Sequence, residues 1–349
     1  MSYRLSAVGA LLALTFSAWA CNNAVAQTPP LYRVTKTVPI GAPDRWDYLT
    51  FDVASGRVFV AHGDRVTVVD GHDGTILGQV EGFPGGTHGV AIASQVARGY
   101  TDDGKAGTAT SFDLASLKSI RTIRAAAGAD AIVFDSFSQH VFVINGDSGS
   151  ITVIDPASDA AVATIAVGGD LEFGTVDGKG NLYVNGAEKR EIVRVDTTTN
   201  HVDARWPIAN CDRPHGIAID PAAHRLFVTC VNKLLVAVDT DGGAPVATMP
   251  IGARTDAAAF DAKRKLIFSS NGDGTLTVVA EKGPNQFEVI GNVPTPVGAR
   301  TMALDPGTGR IYLVAADVTI NDKASIEDAR HRYVTKPGTA KLLFLDPAF

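Results

Sequence analysis

Four carboxylates, two imidazoles and one guanidinium stand at one recurring place in this chain: Asp47, His88, Asp130, Glu172, His215, Asp256 and Arg300. Each opens a short apolar segment six residues long, as in Asp47-Tyr-Leu-Thr-Phe-Asp52, Asp130-Ala-Ile-Val-Phe-Asp135 and His215-Gly-Ile-Ala-Ile-Asp220. Successive members are 41, 42, 42, 43, 41 and 44 residues apart. Such groups gathered in one place suit three roles. They can hold a divalent cation; imidazole with carboxylate oxygen suits zinc, copper or manganese, and carboxylates alone suit calcium. They can act as general acid and base, since crowded carboxylates raise one another's pKa and Arg300 would orient an anionic group. Or they solvate a water-filled channel and bond turn backbone, as aspartate commonly does. Turn chemistry accounts readily for Asp130 or Asp256 alone. It accounts less well for two histidines at equivalent positions, a residue whose charge changes near neutral pH. His88, His215, Glu172 and Asp47 are therefore the expected metal ligands. Asp130, Asp256 and Arg300 complete the expected ligand-binding ring.

A period near 42 residues marks a repeat architecture. Each repeat reads as four short strands. The apolar segment ends at Asp and a turn. A second strand follows, such as Arg57-Val-Phe-Val-Ala61 or Arg225-Leu-Phe-Val-Thr229, then a turn such as Asn145-Gly-Asp-Ser-Gly149. A third strand ends in Asp, such as Ile151-Thr-Val-Ile-Asp155, and a fourth is amphipathic, such as Ala161-Val-Ala-Thr-Ile165. Four strands at this spacing make a propeller blade, and seven repeats predict an all-β, seven-bladed propeller. The seventh repeat lacks a fourth strand. Tyr32–Ile40 supplies a spare one, so the ring is expected to close by pairing the two, which removes an exposed sheet edge. The strand-ending aspartates, Asp52, Asp70, Asp135, Asp155 and their equivalents, are read as turn formers.

The loop leading into each innermost strand opens beside the central channel, so the seven polar residues are expected to ring its top mouth. The second strands end on the same face, at His62, Asp103, Asn145, Gly186, Cys230, Asn271 and Ala315. One repeat carries an insertion, Ala315 to Ala340, holding Arg330, His331 and Tyr333. Long insertions in compact repeats often serve function. Arg330 and His331 therefore join the expected ligand-binding set, and Arg330, with Arg300, would hold negative charge.

The segments VFVINGDSGSITVIDPAS, LYVNGAEKREIVRVDTTTN, LFVTCVNKLLVAVDTDG and SSNGDGTLTVV resemble the repeats of exported YVTN/YncE-like propellers, over Tyr32 to Asp346. The resemblance implies the seven-bladed fold and export. It implies no reaction, because the repeat motif is structural. In the second repeat, Gly99-Tyr100-Thr101-Asp102 departs from the motif.

The bulk properties fit. The chain has 349 residues, 35 Gly and 17 Pro, net charge −6 and a pI near 5.7. No run of one sign suggests a nucleic-acid face. Arg4, the apolar stretch Leu5 to Ala20 and Ala24-Val25-Ala26 predict a signal peptide over 1–26, with one propeller over 27–349 and a periplasmic or secreted protein. A rival reading acylates Cys21 as a lipoprotein anchor. No second apolar stretch is read as membrane-spanning. Two cysteines remain after residue 26, and export favours a Cys211–Cys230 disulfide over their use with His215 as soft copper ligands. No fingerprint for a nucleotide, flavin or haem is present. The leading expectation is a binding module for a metal ion, or for a small anionic or metal-chelated ligand, at the channel mouth. A lactonase-like metal-dependent hydrolase or lyase on the same ring stays open, and so does a scaffold or redox-partner role in which a protein partner covers the propeller face.

Overall fold

The computed structural model describes residue 1, residues 31–325 and residues 329–348. The expected leader beyond Met1, with Cys21, lies outside the described residues, as does the side chain of Arg330.

Seven four-stranded antiparallel sheets stand around a central channel. Their innermost strands are Leu49–Asp52, Val90–Ala93, Ala129–Asp135, Leu171–Val176, Pro214–Asp220, Thr255–Asp261 and Met302–Leu304. In six blades the strands follow in chain order from the channel outward. The seventh runs Met302–Leu304, Ile311–Ala315, Lys341–Pro347 and then Tyr32–Pro39, with Tyr32 opposite Pro347 and Val38 opposite Leu342. The ring thus closes by the N-terminal strand, as expected from the missing fourth strand, and each end of the chain shields the other's sheet edge.

One sequence position holds neighbouring blades together. One equivalent position in every second strand is aromatic: Phe59, Tyr100, Phe142, Tyr183, Phe227, Phe268 and Tyr312. None is more than 2% exposed. Burying one such side chain stabilises by roughly 1.5–3 kcal/mol. Where the ring is tyrosine, its hydroxyl reaches the next blade: Tyr100 donates to Asp159 at 2.9 Å, Tyr312 donates to the Gly71 carbonyl at 2.8 Å, and Tyr183 bonds Thr240. The strand-ending aspartates accept turn N–H groups two and three residues on, as Asp70 does from His72 and Asp73 and Asp196 from Thr198 and Thr199. These bonds fix the bottom turns, as their turn-former reading requires.

The insertion folds into a hairpin, Val318–Ile320 with Tyr333–Thr335, preceded on its return by a one-turn helix, Ala329–Arg332. Its base is tied to the first blade, because the Asp44 carboxylate accepts the N–H groups of Gly338, Thr339 and Ala340. Cys211 and Cys230 form a disulfide with Cα atoms 5.1 Å apart, so neither sulfur is free to ligate a metal.

Because the aromatic position sets blade-to-blade packing, Phe142→Ala is expected to destabilise by about 3–5 kcal/mol, read from chemical unfolding of the purified protein. A loss below about 1 kcal/mol would show that the blades do not depend on this ring.

Candidate functional site

All seven period-locked residues meet at one mouth of the channel. A cavity of about 640 Å³ is bordered by Asp47, Asp130, Glu172, His215, Asp256 and Arg300, and an adjoining one of about 330 Å³ by Asp47, His88, Asp130 and Glu172. Below them Tyr48 and Phe173, from blades one and four, pack with ring centroids 4.3 Å apart and planes inclined by 32°, and narrow the channel. A separate cavity lies beneath, lined by Phe51, Ile132, Phe134 and Val176 together with Thr50, Asp52 and Thr175.

Backbone bulges aim four members of the ring, Asp130, Glu172, His215 and Asp256. In blades three to six the innermost strand gains one residue relative to its partner at the ring position: between Ala129 and Ile132, Leu171 and Gly174, Pro214 and Ile217, and Thr255 and Ala257. An extra residue breaks the two-residue alternation, so the polar side chain turns to the channel while the following apolar residues keep their core register. The penultimate residue of the second strand then pins this backbone. Asn185 donates to the His215 carbonyl at 2.6 Å, Thr229 Oγ1 accepts from Gly216 N–H at 3.0 Å, and Ser270 donates to the Arg300 carbonyl. In blade two that residue is Asp102.

Asp102 is wholly buried. One carboxylate oxygen accepts the N–H groups of His88 and Gly89, both at 2.8 Å, and the other meets His88 Nδ1 at 2.7 Å. The imidazole is thereby oriented with Nε2 toward the mouth, where Arg45 Nη2 lies 3.5 Å away. Burial works against the imidazolium, but the hydrogen bond to Asp102 and the charges of Asp102, Asp130 and Asp47 outweigh it and hold His88 at about 9. Sequence reasoning missed Asp102. Its only signal was the departure of Gly99–Asp102 from the repeat motif.

The ring divides into two groups. Ligand atoms of Asp47, His88 and Asp130, from blades one to three, all lie within 4.8 Å of one another. His215 Nδ1 faces Glu172 at 3.3 Å and Asp256 at 3.8 Å without hydrogen-bond geometry, and Arg300 Nε meets Asp256 at 2.7 Å. Of the four residues expected as ligands, then, Asp47 and His88 stand together with Asp130, while His215 and Glu172 form the neighbouring group. Among the residues of the second-strand ends, His62 is fully buried with Nδ1 against Thr67 and Nε2 against the Pro43 carbonyl, a satisfied core histidine. Tyr333 lines the larger cavity, whereas His331 is exposed and does not.

The carboxylates are electrostatically unsettled. Burial, then Asp256 and Asp130, push Asp47 well above the ordinary carboxylate range. Burial also raises Asp130, to about 7, against the pull of His88. Asp256 is raised by burial despite Arg300 and His215. Buried acids crowded by like charges behave this way.

With this geometry in hand, comparison with known proteins places the chain in the class of seven-bladed β-propellers. No family profile and no curated protein matches the sequence. Solved structures do match. A chain of Kuenenia stuttgartiensis hydrazine synthase superposes with a TM-score of 0.67 at 15% identity, covering 85% of this chain and 96% of that one. A chain of the mitotic checkpoint complex gives 0.72 at 14% identity, covering 97% and 98%. U3-55K gives 0.71 at 11% identity, covering 91% and 99%. At these identities the likeness establishes the fold and nothing of the chemistry.

A pH dependence follows from two of these groups. Folding lifts Asp130 from an ordinary 3.8 to about 7, so the folded state keeps a proton the unfolded chain has released, and stability falls as pH rises between those values. Folding lifts His88 from 6.5 to about 9, so its contribution is complete below 6.5 and is lost as pH climbs to 9. Both slopes have the same sign. Calorimetry of chelator-treated protein should give a Tm that declines from pH 5 to 9, and Asp130→Asn should flatten the acidic half of that decline. A rising profile would contradict the assignment.

Proposed function

We propose that this protein is an exported binding module that holds a divalent cation at the top mouth of its channel, through Asp47, His88 and Asp130. The observation that carries the reading is the convergence of two carboxylates and one imidazole, from three successive blades, within 4.8 Å of one another. Two carboxylate oxygens and an imidazole nitrogen suit zinc or manganese better than calcium, which takes oxygen ligands, or copper(I), which takes thiolates. Asp102 has the place of the carboxylate that orients a metal-bound histidine from behind. Glu172, His215, Asp256 and Arg300 adjoin the cation as a second polar set that would meet whatever the cation carries. The leader expected over 1–26, the disulfide and the resemblance to YVTN/YncE-like propellers support export, with one propeller forming the mature protein. No helix among the described residues is long and apolar enough to cross a membrane.

Titration of the chelator-treated protein with Mn²⁺ or Zn²⁺ in a calorimeter should give one cation per chain. His88→Ala and Asp130→Asn should each abolish binding, and Asp102→Asn should weaken it by about 10–100-fold. Because the cation must displace the proton that His88 carries up to about pH 9, affinity should rise by roughly tenfold per pH unit between pH 7 and 9. Binding that survives His88→Ala and Asp130→Asn together would place the cation elsewhere or nowhere.

A further inference from the structure

The mouth has a second asymmetry, made of arginines. Two residues before the ring position, blades two, three and seven carry Gly86, Gly128 and Gly298, with φ of 104°, 69° and 88°. These are left-handed conformations that glycine adopts freely. Blades five and six make the same left-handed step with arginine: Arg213 at φ 43° and Arg254 at φ 59°. An arginine there strains the backbone where glycine would not. Blade one has Arg45 at the equivalent place, and blade seven offers Arg300 on the ring itself. Blades five, six, seven and one therefore contribute four arginines on a continuous arc, beside the carboxylate-rich arc of blades one to four.

Three of the four, Arg45, Arg254 and Arg300, border the cavity of about 640 Å³. Arg213 is turned away into ion pairs with Asp170 and Glu172. Arg300 spends its Nε on Asp256 at 2.7 Å. Arg254 has no carboxylate within ion-pair distance among the described residues; its guanidinium lies over the Tyr333 ring at 5.0 Å and donates to the Gly272 carbonyl. Arg45 is exposed and, among the described residues, its hydrogen-bond contact is with His88. Two guanidinium groups without carboxylate partners thus face one cavity, with planar donor forks suited to a carboxylate. The rest of that cavity's wall includes Trp46, Val231, Val297, Val318 and Tyr333. A pocket of this size with an apolar wall and a few convergent polar groups suits a small organic ligand.

We infer that the larger cavity is a subsite for an organic carboxylate with an apolar body. Its acid group sits among Arg45, Arg254 and Arg300, and its aromatic or alkyl part lies against Trp46, Val231, Val318 and Tyr333. A carboxylate fits better than a more highly charged phosphate, because Asp130, Glu172 and Asp256 border the same space. The inference rests on the cation reading only in its second half: with a cation on Asp47, His88 and Asp130, the same carboxylate can reach from the arginines to the metal, so that ligand and cation bind cooperatively.

The test is calorimetric titration of the full chain with mandelate and with octanoate, with and without saturating Mn²⁺, using methyl mandelate as the uncharged control. The expected result is binding of at least one of the two acids, none of the ester, and at least tenfold weaker binding in Arg254→Gly and in Arg45→Gln. Arg254→Gly relieves the left-handed strain, so its Tm should stay near that of the wild type, which separates loss of the subsite from loss of the fold. Arginine-dependent binding that tightens with Mn²⁺ supports both halves. Arginine-dependent binding in a protein that takes no Mn²⁺ keeps the subsite and removes the cation. Mn²⁺ binding with no uptake of either acid, or acid binding unchanged in both arginine variants, overturns the inference and leaves the cation reading standing.

Discussion

The structure depends on the wedge of aromatic rings between blades. A four-stranded sheet has two faces to bury, and each propeller sheet buries both against its neighbours. Phe59, Tyr100, Phe142, Tyr183, Phe227, Phe268 and Tyr312 occupy one equivalent depth in the seven interfaces, and three of them extend a hydroxyl to a turn or backbone group of the next blade. Packing of this density sets the angle between blades and hence the width of the channel. The polar ring is a consequence. With blade angle and strand register fixed, residues about 42 positions apart in sequence are delivered to one circle.

The ring itself is held in an unfavourable state. Asp47, Asp102, Asp130 and Asp256 are all raised by burial, and partial relief comes from His88, His215 and Arg300. Such crowding has a stability penalty that only a ligand, a proton or a cation lifts, and a site that binds a cation uses that penalty as affinity. The bulges supply the geometry. In blades three to six they let one side chain leave the alternation of its strand without moving the apolar residues that follow. The hairpin of the insertion adds a wall to one side of the mouth, and three backbone bonds to Asp44 tie its base to the first blade.

Most of the architecture was legible in the sequence. The period gave seven blades, the missing fourth strand of the last repeat and the spare strand Tyr32–Ile40 gave the closure, and two cysteines in a chain read as exported gave the disulfide. The ring's membership was legible too, because position in the repeat determines which face a residue occupies. Blade order even makes Asp47, His88 and Asp130 sequential neighbours around the circle.

What the amino-acid sequence determined by itself is therefore the fold and the set of polar groups at the mouth, since both follow from a periodic pattern that needs no knowledge of distance. Tertiary structure alone decided how those groups divide. The reach of Asp130, Glu172, His215 and Asp256 depends on a bulge, which leaves no fixed mark in the sequence. Asp102 gains its hold on His88 only when the second strand lies antiparallel to the first, which puts residues 14 apart at 2.7 Å. Arg45 and Arg254 become partners of one cavity only because the ring closes, bringing blade one round to stand beside the arc that blades five to seven begin. Contacts of this kind are set by packing over the whole circle, and no local stretch of sequence carries them.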